Sequence, residues 1–228
     1  MDLFCYTLKR ITPIPVKRND TIAINKRAEY AQDFLEILAI YDESNMYFVD
    51  EVGFNVTMRS RRGRSLKGTR AVHIVHGLRA RNISVCCAMS KSGIVKFVKQ
   101  TCAFQTTSFN NFIETIQDDA ETLQIGPIVI FMDNVPFHKS TCIRESVQNR
   151  GNKIMFLPPY SPFLNPIENM FSKWKQSIRQ RRPNDETELF AMIDDVENVI
   201  TPSDCASYFR HMISFISRCL KREVIIDE

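Results

Sequence analysis

The sequence predicts an α/β fold, a mixed sheet flanked by helices and followed by a helical C-terminal tail. Three observations carry this expectation. Short apolar segments between Met46 and Val98 are broken by Gly53, Gly77 and Gly93, as in consecutive strands. Ile128 to Met132 is a continuous apolar run with helical patterns before and after it, which suits a strand covered on both faces. From Pro166 almost to the end, apolar residues recur at helical spacing. A helix, about five strands, alternating helix and strand, then helices is the order of a layered α/β domain.

The elements follow from the chain in order. Residues 9–25 hold Lys9-Arg10, Pro13, Pro15 and polar Lys17 to Asp20, and read as a linker. Asn25 to Ile40 places Ala28, Ala31, Phe34, Leu35 and Leu38 on one helical face. Met46 to Val49 reads as a strand ending at Asp50-Glu51, with further strands at Phe54 to Met58, Val72 to Val75, Ile83 to Met89 and Ile94 to Val98. Ser108 to Leu123 is a helix through Phe109, Phe112, Ile113 and Ile116, and Gly126-Pro127 opens the strand at Ile128. Lys139 to Arg150 is a helix closed by Gly151. Lys153 to Leu157 is a strand running into Pro158-Pro159. Helices follow at Pro166 to Arg181, Asp185 to Ile200 and Ser203 to Lys221, with Trp174 in a core stripe beside Ile167, Phe171 and Ile178.

Composition bounds the function. With 44% hydrophobic and 25% charged residues over 228 positions, the chain is globular, which excludes fibrous repeats and disorder. Thirty basic against 26 acidic residues leave +4, so charge placement matters more than charge excess. Seven cysteines without a Cys-x-x-Cys spacing argue against a disulfide framework or structural zinc, and for free thiols in a reducing compartment. Cys86-Cys87 lies in an apolar strand and reads as core. No apolar run approaches the roughly 18 residues of a spanning helix, and Met1 to Leu8 does not make a signal peptide. The expectation is a soluble intracellular protein, nuclear in a eukaryote, with no membrane partner.

Three acids stand where acids are awkward. Asp50 ends the run Met46 to Val49, Asp133 ends the run Ile128 to Met132, and Glu168 opens a helix after Asn165-Pro166-Ile167. Taken singly, Asp50 and Asp133 also suit turn or cap positions, and Asn165, Pro166 and Glu168 make a capping-box pattern. Taken together, they gather beyond the carboxyl ends of strands, where functional groups collect in open α/β sheets. Converging carboxylates repel one another unless a cation sits among them, and oxygen-only ligands favour Mg²⁺ or Mn²⁺. Glu51 points to the face opposite Asp50 in a regular strand and is left out of the metal site.

A basic loop follows the first acid. Arg59, Arg61, Arg62, Arg64, Lys67 and Arg70 stand among Gly63, Ser65, Gly68 and Thr69 with no acid between them. Flexible cations of this kind suit contact with DNA phosphates; the alternative is a solvated loop or localisation signal. Arg179, Arg181 and Arg182 form a second cluster at a helix end, where they also favour the helix dipole.

Phe48-Val49-Asp50-Glu51-Val52-Gly53-Phe54, then Phe131-Met132-Asp133-Asn134 with His138, then Leu157-Pro158-Pro159-Tyr160-Ser161-Pro162 before Asn165-Pro166-Ile167-Glu168, resemble the three catalytic blocks of mariner-type transposases. The 34 residues between Asp133 and Glu168 match the Asp-Asp-Glu branch, and the resemblance spans roughly residues 9–180. It implies a ribonuclease H-like fold with a mixed five-stranded sheet. It implies a metal-dependent DNA endonuclease and strand transferase in which Asp50, Asp133 and Glu168 hold two Mg²⁺ or Mn²⁺ ions for in-line displacement at a phosphodiester. Asn134 and His138 match the second block and would orient Asp133 from behind, while His138 also suits a helix entry with a satisfied ring.

The implied organisation is a helix-turn-helix remnant and linker at 1–25, the catalytic domain at 26–182 and a helical extension packed on it at 183–228. Asp2 to Leu8 resembles the tail of a second helix-turn-helix module, so recognition of DNA ends is expected from a separate domain in trans. The family also implies a homodimer. An idle or domesticated domain that binds DNA or protein without turnover is the alternative.

Overall fold

The structure, a computed structural model, describes residues 13–58, 64–72 and 81–227. Five strands form one sheet: β1 (Met46–Asn55), β2 (Asn82–Ser90), β3 (Gly93–Gln100), β4 (Val129–Met132) and β5 (Lys153–Phe156). Their order across the sheet is β3-β2-β1-β4-β5, antiparallel from β3 to β1 and parallel from β1 to β5. The first three are consecutive hairpin neighbours. The parallel pairs require crossovers, supplied by α2 (Thr106–Thr122) between β3 and β4 and α3 (Thr141–Asn149) between β4 and β5.

Seven α-helices complete the described chain, in two unequal layers. Side chains alternate along β1, so Met46, Phe48, Val52 and Phe54 face one layer while Tyr47 and Val49 face the other. The first layer holds α1 (Thr21–Ile40), α4 (Pro166–Arg181), α5 (Glu186–Asp194), α6 (Val196–Val199) and α7 (Pro202–Leu220). The second holds α2 and α3, closing over Cys86, Ala88, Ile130 and Met132. Residues beyond 183 therefore fill the same core as the sheet. Trp174 is fully buried there, against Phe54 at 5.0 Å and Phe97 at 5.7 Å between ring centroids.

Three expectations need correction. Met46 to Val49 and Phe54 to Met58 are not separate strands; β1 runs unbroken through Asp50 and Gly53, and nothing after Asn55 continues it. Gly53 does not break the strand because it allows close approach: a Cβ there would meet the Asn82 amide at 2.9 Å. The expected strand Val72 to Val75 falls largely outside the described residues. Asp185 to Ile200 is two helices, broken at Asp195, whose carboxylate takes bonds from Arg181 Nη1 at 2.5 Å and Asn198 Nδ2 at 2.6 Å. Finally, part of the supposed linker is folded. A 3₁₀ turn at Val16–Asn19 precedes α1, which starts at Thr21 with Asp20 as its cap. Buried Arg27 donates to the Arg18 carbonyl and, at 3.1 Å, to Asn19 Oδ1, and both arginines lie over the Phe163 ring.

All six cysteines among the described residues are free, and Cys86 and Cys87 are buried on opposite faces of the sheet. No helix among the described residues is long and apolar enough to cross a membrane.

The α7 N-terminus gives an acid-sensitive contact. Thr201 and Asp204 form a capping box, and Lys173 of α4 donates to Asp204 Oδ2 at 2.6 Å. The lysine and then the Thr201 amide hold the Asp204 carboxyl down at about 2. Its contribution is therefore complete above the ordinary carboxylate range near pH 4 and lost as pH falls to about 2. Asp204→Asn is expected to lower the urea midpoint at neutral pH and to flatten its fall between about pH 4 and 2. A midpoint equal to wild type across that range would refute the assignment.

Candidate active site

The site opens where the sheet changes partners. The β1–β4 ladder stops at Val49 and Met132, whereas β1 stays paired with β2 as far as Asn55. Asp50 is thus held by β2, opposite Cys87, with the space beyond β4 at its other side. Asp133 is the first residue past β4 and borders the same opening. Leu157 extends β5 by a hydrogen bond to the Met132 carbonyl, and the chain then turns through Pro158 to Pro162 into a 3₁₀ turn, Pro162–Leu164. That turn delivers α4, with Glu168 in its first helical turn.

Electrostatics tie the three acids together. Burial raises the Asp50 carboxyl to about 8, helped by the charges of Glu168, Glu51 and Asp133 and opposed by the Glu51 amide at 2.7 Å. Glu168 lies at the exposed rim, yet desolvation and the Asp133 charge hold it above the ordinary range against the pull of Lys175. Asp50 thus feels the charges of both other acids, and Glu168 feels that of Asp133. Among the described residues, however, no three His, Cys, Asp or Glu side chains are gathered tightly enough to hold a metal ion as they stand. The donor set still fits a hard divalent ion, because carboxylates that repel one another are what such an ion neutralises.

The Asn165–Glu168 capping box does not form. The Asn165 side chain makes no bond to the α4 backbone; its Nδ2 donates instead to Asp50 Oδ2 at 2.9 Å, across 115 positions. A forgone cap is worth about 1 kcal/mol. Asn165 is 3% exposed and its Oδ1 has no partner, a further cost of about 1–3 kcal/mol.

Behind Asp133 stands a histidine bridge. His138 sits in the 3₁₀ turn Pro136–Lys139, fully buried and stacked on Phe109 of α2 at 4.2 Å. Its Nδ1 is 2.5 Å from Asp133 Oδ1, and its Nε2 is 3.1 Å from Glu51 Oε1. Burial opposes its charge, but hydrogen bonds it donates to Asp133 and Glu51 outweigh that and lift its pKa to about 9. The ring is accordingly a cation linking two carboxylates. Glu51 does face away from Asp50, as alternation requires, but it reaches the site through this ring.

The remaining candidates are scattered. Asn134, next to Asp133 in the chain, is exposed and lines a cleft with Pro158 and Pro159. Arg64, Lys67 and Arg70 are exposed on the segment that leaves the far end of β1, around a turn with Gly68 at φ +86°. Arg59, Arg61 and Arg62 lie outside the described residues, as do residues 1–12. Arg182 ends α4 in a left-handed conformation.

Against known families, residues 45–190, well over half of the chain, match the model described as DDE superfamily endonuclease. The chain belongs to that family. No curated protein matches it. Among solved structures, the Mos1 transposase paired-end complex with left transposon end aligns with a TM-score of 0.80 at 12% identity, covering 96% of this chain and 67% of that one. The catalytic domain of Mos1 mariner transposase aligns at 0.72 and 10% identity, covering 94% and 100%. At such identities the likeness is one of fold. This DDE domain thus has the ribonuclease H-like architecture expected from its sequence, with a mixed five-stranded sheet and helices on both faces. Family and fold together make this a domain of the DDE endonuclease family, built like the Mos1 catalytic domain.

Proposed function

We propose that this DDE domain cleaves DNA phosphodiesters and joins DNA ends with Mg²⁺ or Mn²⁺, using Asp50, Asp133 and Glu168 as the ligand carboxylates. The observation that carries this reading is the placement of Asp50 and Asp133 at one opening of the sheet, where the β1–β4 ladder ends, with the charges of Asp133 and Glu168 both acting on Asp50. Solved Mos1 paired-end complexes with Mn and with Mg support the choice of ion, and the Mos1 paired-end complex with left transposon end supports DNA as partner.

When bound, two divalent ions would supply charge neutralisation at the scissile phosphate and activation of the attacking oxygen. The chain's own residues supply placement. Asp50 lies in β1 and Asp133 directly follows the adjacent strand β4, while Glu168 comes from a helix packed on the sheet. His138, backed by Glu51, fixes the orientation of Asp133. Positioning of this precision accounts for most of the catalysis in phosphoryl transfer. Arg64, Lys67 and Arg70, with Arg59, Arg61 and Arg62, fit a sequence-independent grip on the DNA backbone. A homodimer, and a recognition domain acting in trans, complete the proposal.

The test is nicking of supercoiled plasmid by the purified chain. Weak nicking without sequence preference is expected with Mn²⁺ or Mg²⁺. Activity that never exceeds a chelated control would sink the reading.

A further inference from the structure

We propose that Asn165 is a positioning residue of the DDE site, holding Asp50 for the divalent ion through its side-chain amide. The inference rests on the metal-dependent reading above and adds a residue to it.

Three observations support it. The Nδ2–Asp50 bond joins β1 to the residue immediately before α4, so one amide sets how far the first acid stands from the helix bearing Glu168. With the Glu51 amide on Oδ1 and Asn165 on Oδ2, each Asp50 oxygen has one donor and keeps further acceptor capacity. Asn165 also departs from the ordinary behaviour of its position. An asparagine in front of Pro166 normally caps the helix, whereas this one leaves the helix uncapped and its own Oδ1 unpartnered in a buried setting. Local rules are broken in this way where a site is being served.

Neighbouring groups keep the arrangement rigid. Leu164 and Ile167 are fully buried on either side. Phe163 is packed against Phe215 of α7 and lies under the Arg18 and Arg27 guanidinium groups. The 3₁₀ turn leading to Asn165 is thus clamped between α1 and α7, and the amide has little freedom to choose another partner.

The experiment is Mn²⁺ binding to the full chain without DNA, followed by the electron paramagnetic resonance signal of free Mn²⁺. Asn165→Ala is expected to weaken binding about tenfold, the usual effect of losing a group that orients a metal ligand. In an Asp50→Asn background the same change is expected to add less than about twofold, because its effect runs through Asp50. Wild-type affinity in Asn165→Ala, or a full tenfold effect in the Asp50→Asn background, overturns the proposal. Asn165→Asp keeps the shape but cannot donate. It should melt lower than wild type without Mn²⁺ and gain more on its addition; wild-type melting in both conditions also overturns the proposal. Asp133→Ala, measured in parallel, separates the two levels. If it leaves Mn²⁺ affinity unchanged, the metal-site reading fails; if it abolishes binding while Asn165→Ala does not weaken it, only the role of Asn165 fails.

Discussion

Asp133→Ala is expected to abolish metal-dependent nicking, a loss on the order of a thousandfold or more. Asp133 borders the opening at the end of β4, contributes charge to both Asp50 and Glu168, and is the acid the His138 ring orients. On the proposed reading, removing it takes away one of three ligand carboxylates and several kcal/mol of transition-state stabilisation, at about 1.4 kcal/mol per tenfold. The change also leaves the buried His138 cation with Glu51 as its remaining carboxylate, so Asp133→Asn is the companion variant that keeps the volume and a polar contact. Both should fold and both should be inactive with Mn²⁺ in the plasmid assay. Nicking within tenfold of wild type in either variant would remove Asp133 from the chemistry.

Trp174→Ala should be the most damaging single change to the fold, costing about 3–5 kcal/mol. The indole is fully buried and lies against Phe54 of β1, Phe97 of β3 and Phe171 of its own helix. It therefore pins α4, and Glu168 with it, to the sheet. Because it is the chain's one tryptophan, unfolding is best followed by far-ultraviolet circular dichroism in urea. A loss below about 1 kcal/mol would mean that the neighbouring aromatic rings close over the space. Activity should fall with stability here, and recover at low temperature to the extent that α4 stays docked.

The layers and most helices were legible because their signals are periodic and local. Pro166 to Arg181 shows its apolar stripe, its proline start and its basic end within sixteen residues, and the helix has those bounds. Asp50 and Asp133 stood out because each ends an apolar run, and Glu168 because it opens a helix after the proline-rich segment. What failed was punctuation that tertiary contacts override. Gly53 looked like a strand break, yet pairing with β2 carries β1 through it. Asp195 interrupts a helical pattern through bonds to Arg181 and Asn198, which the periodicity of apolar residues does not register.

Two partners of the site stayed hidden for another reason. Asn165 has a sound local role as a helix cap, and only a contact 115 positions away shows that it has taken a different one. Glu51 was set aside by strand alternation, which was correct about its direction and silent about what comes to meet it. An acid in a strand with helices on both faces needs a partner. His138, already singled out near Asp133, was the available one.

The unbroken β1 has a consequence for how this enzyme would take up its ions. Asp50 sits in the middle of a central strand, where amide hydrogens exchange only when large parts of a domain open. Metal arrival would therefore be met by rotating side chains on a frame already set, rather than by ordering of the backbone. Chelation should leave the exchange pattern of β1 almost untouched, and the ion's stabilisation should follow simple mass action.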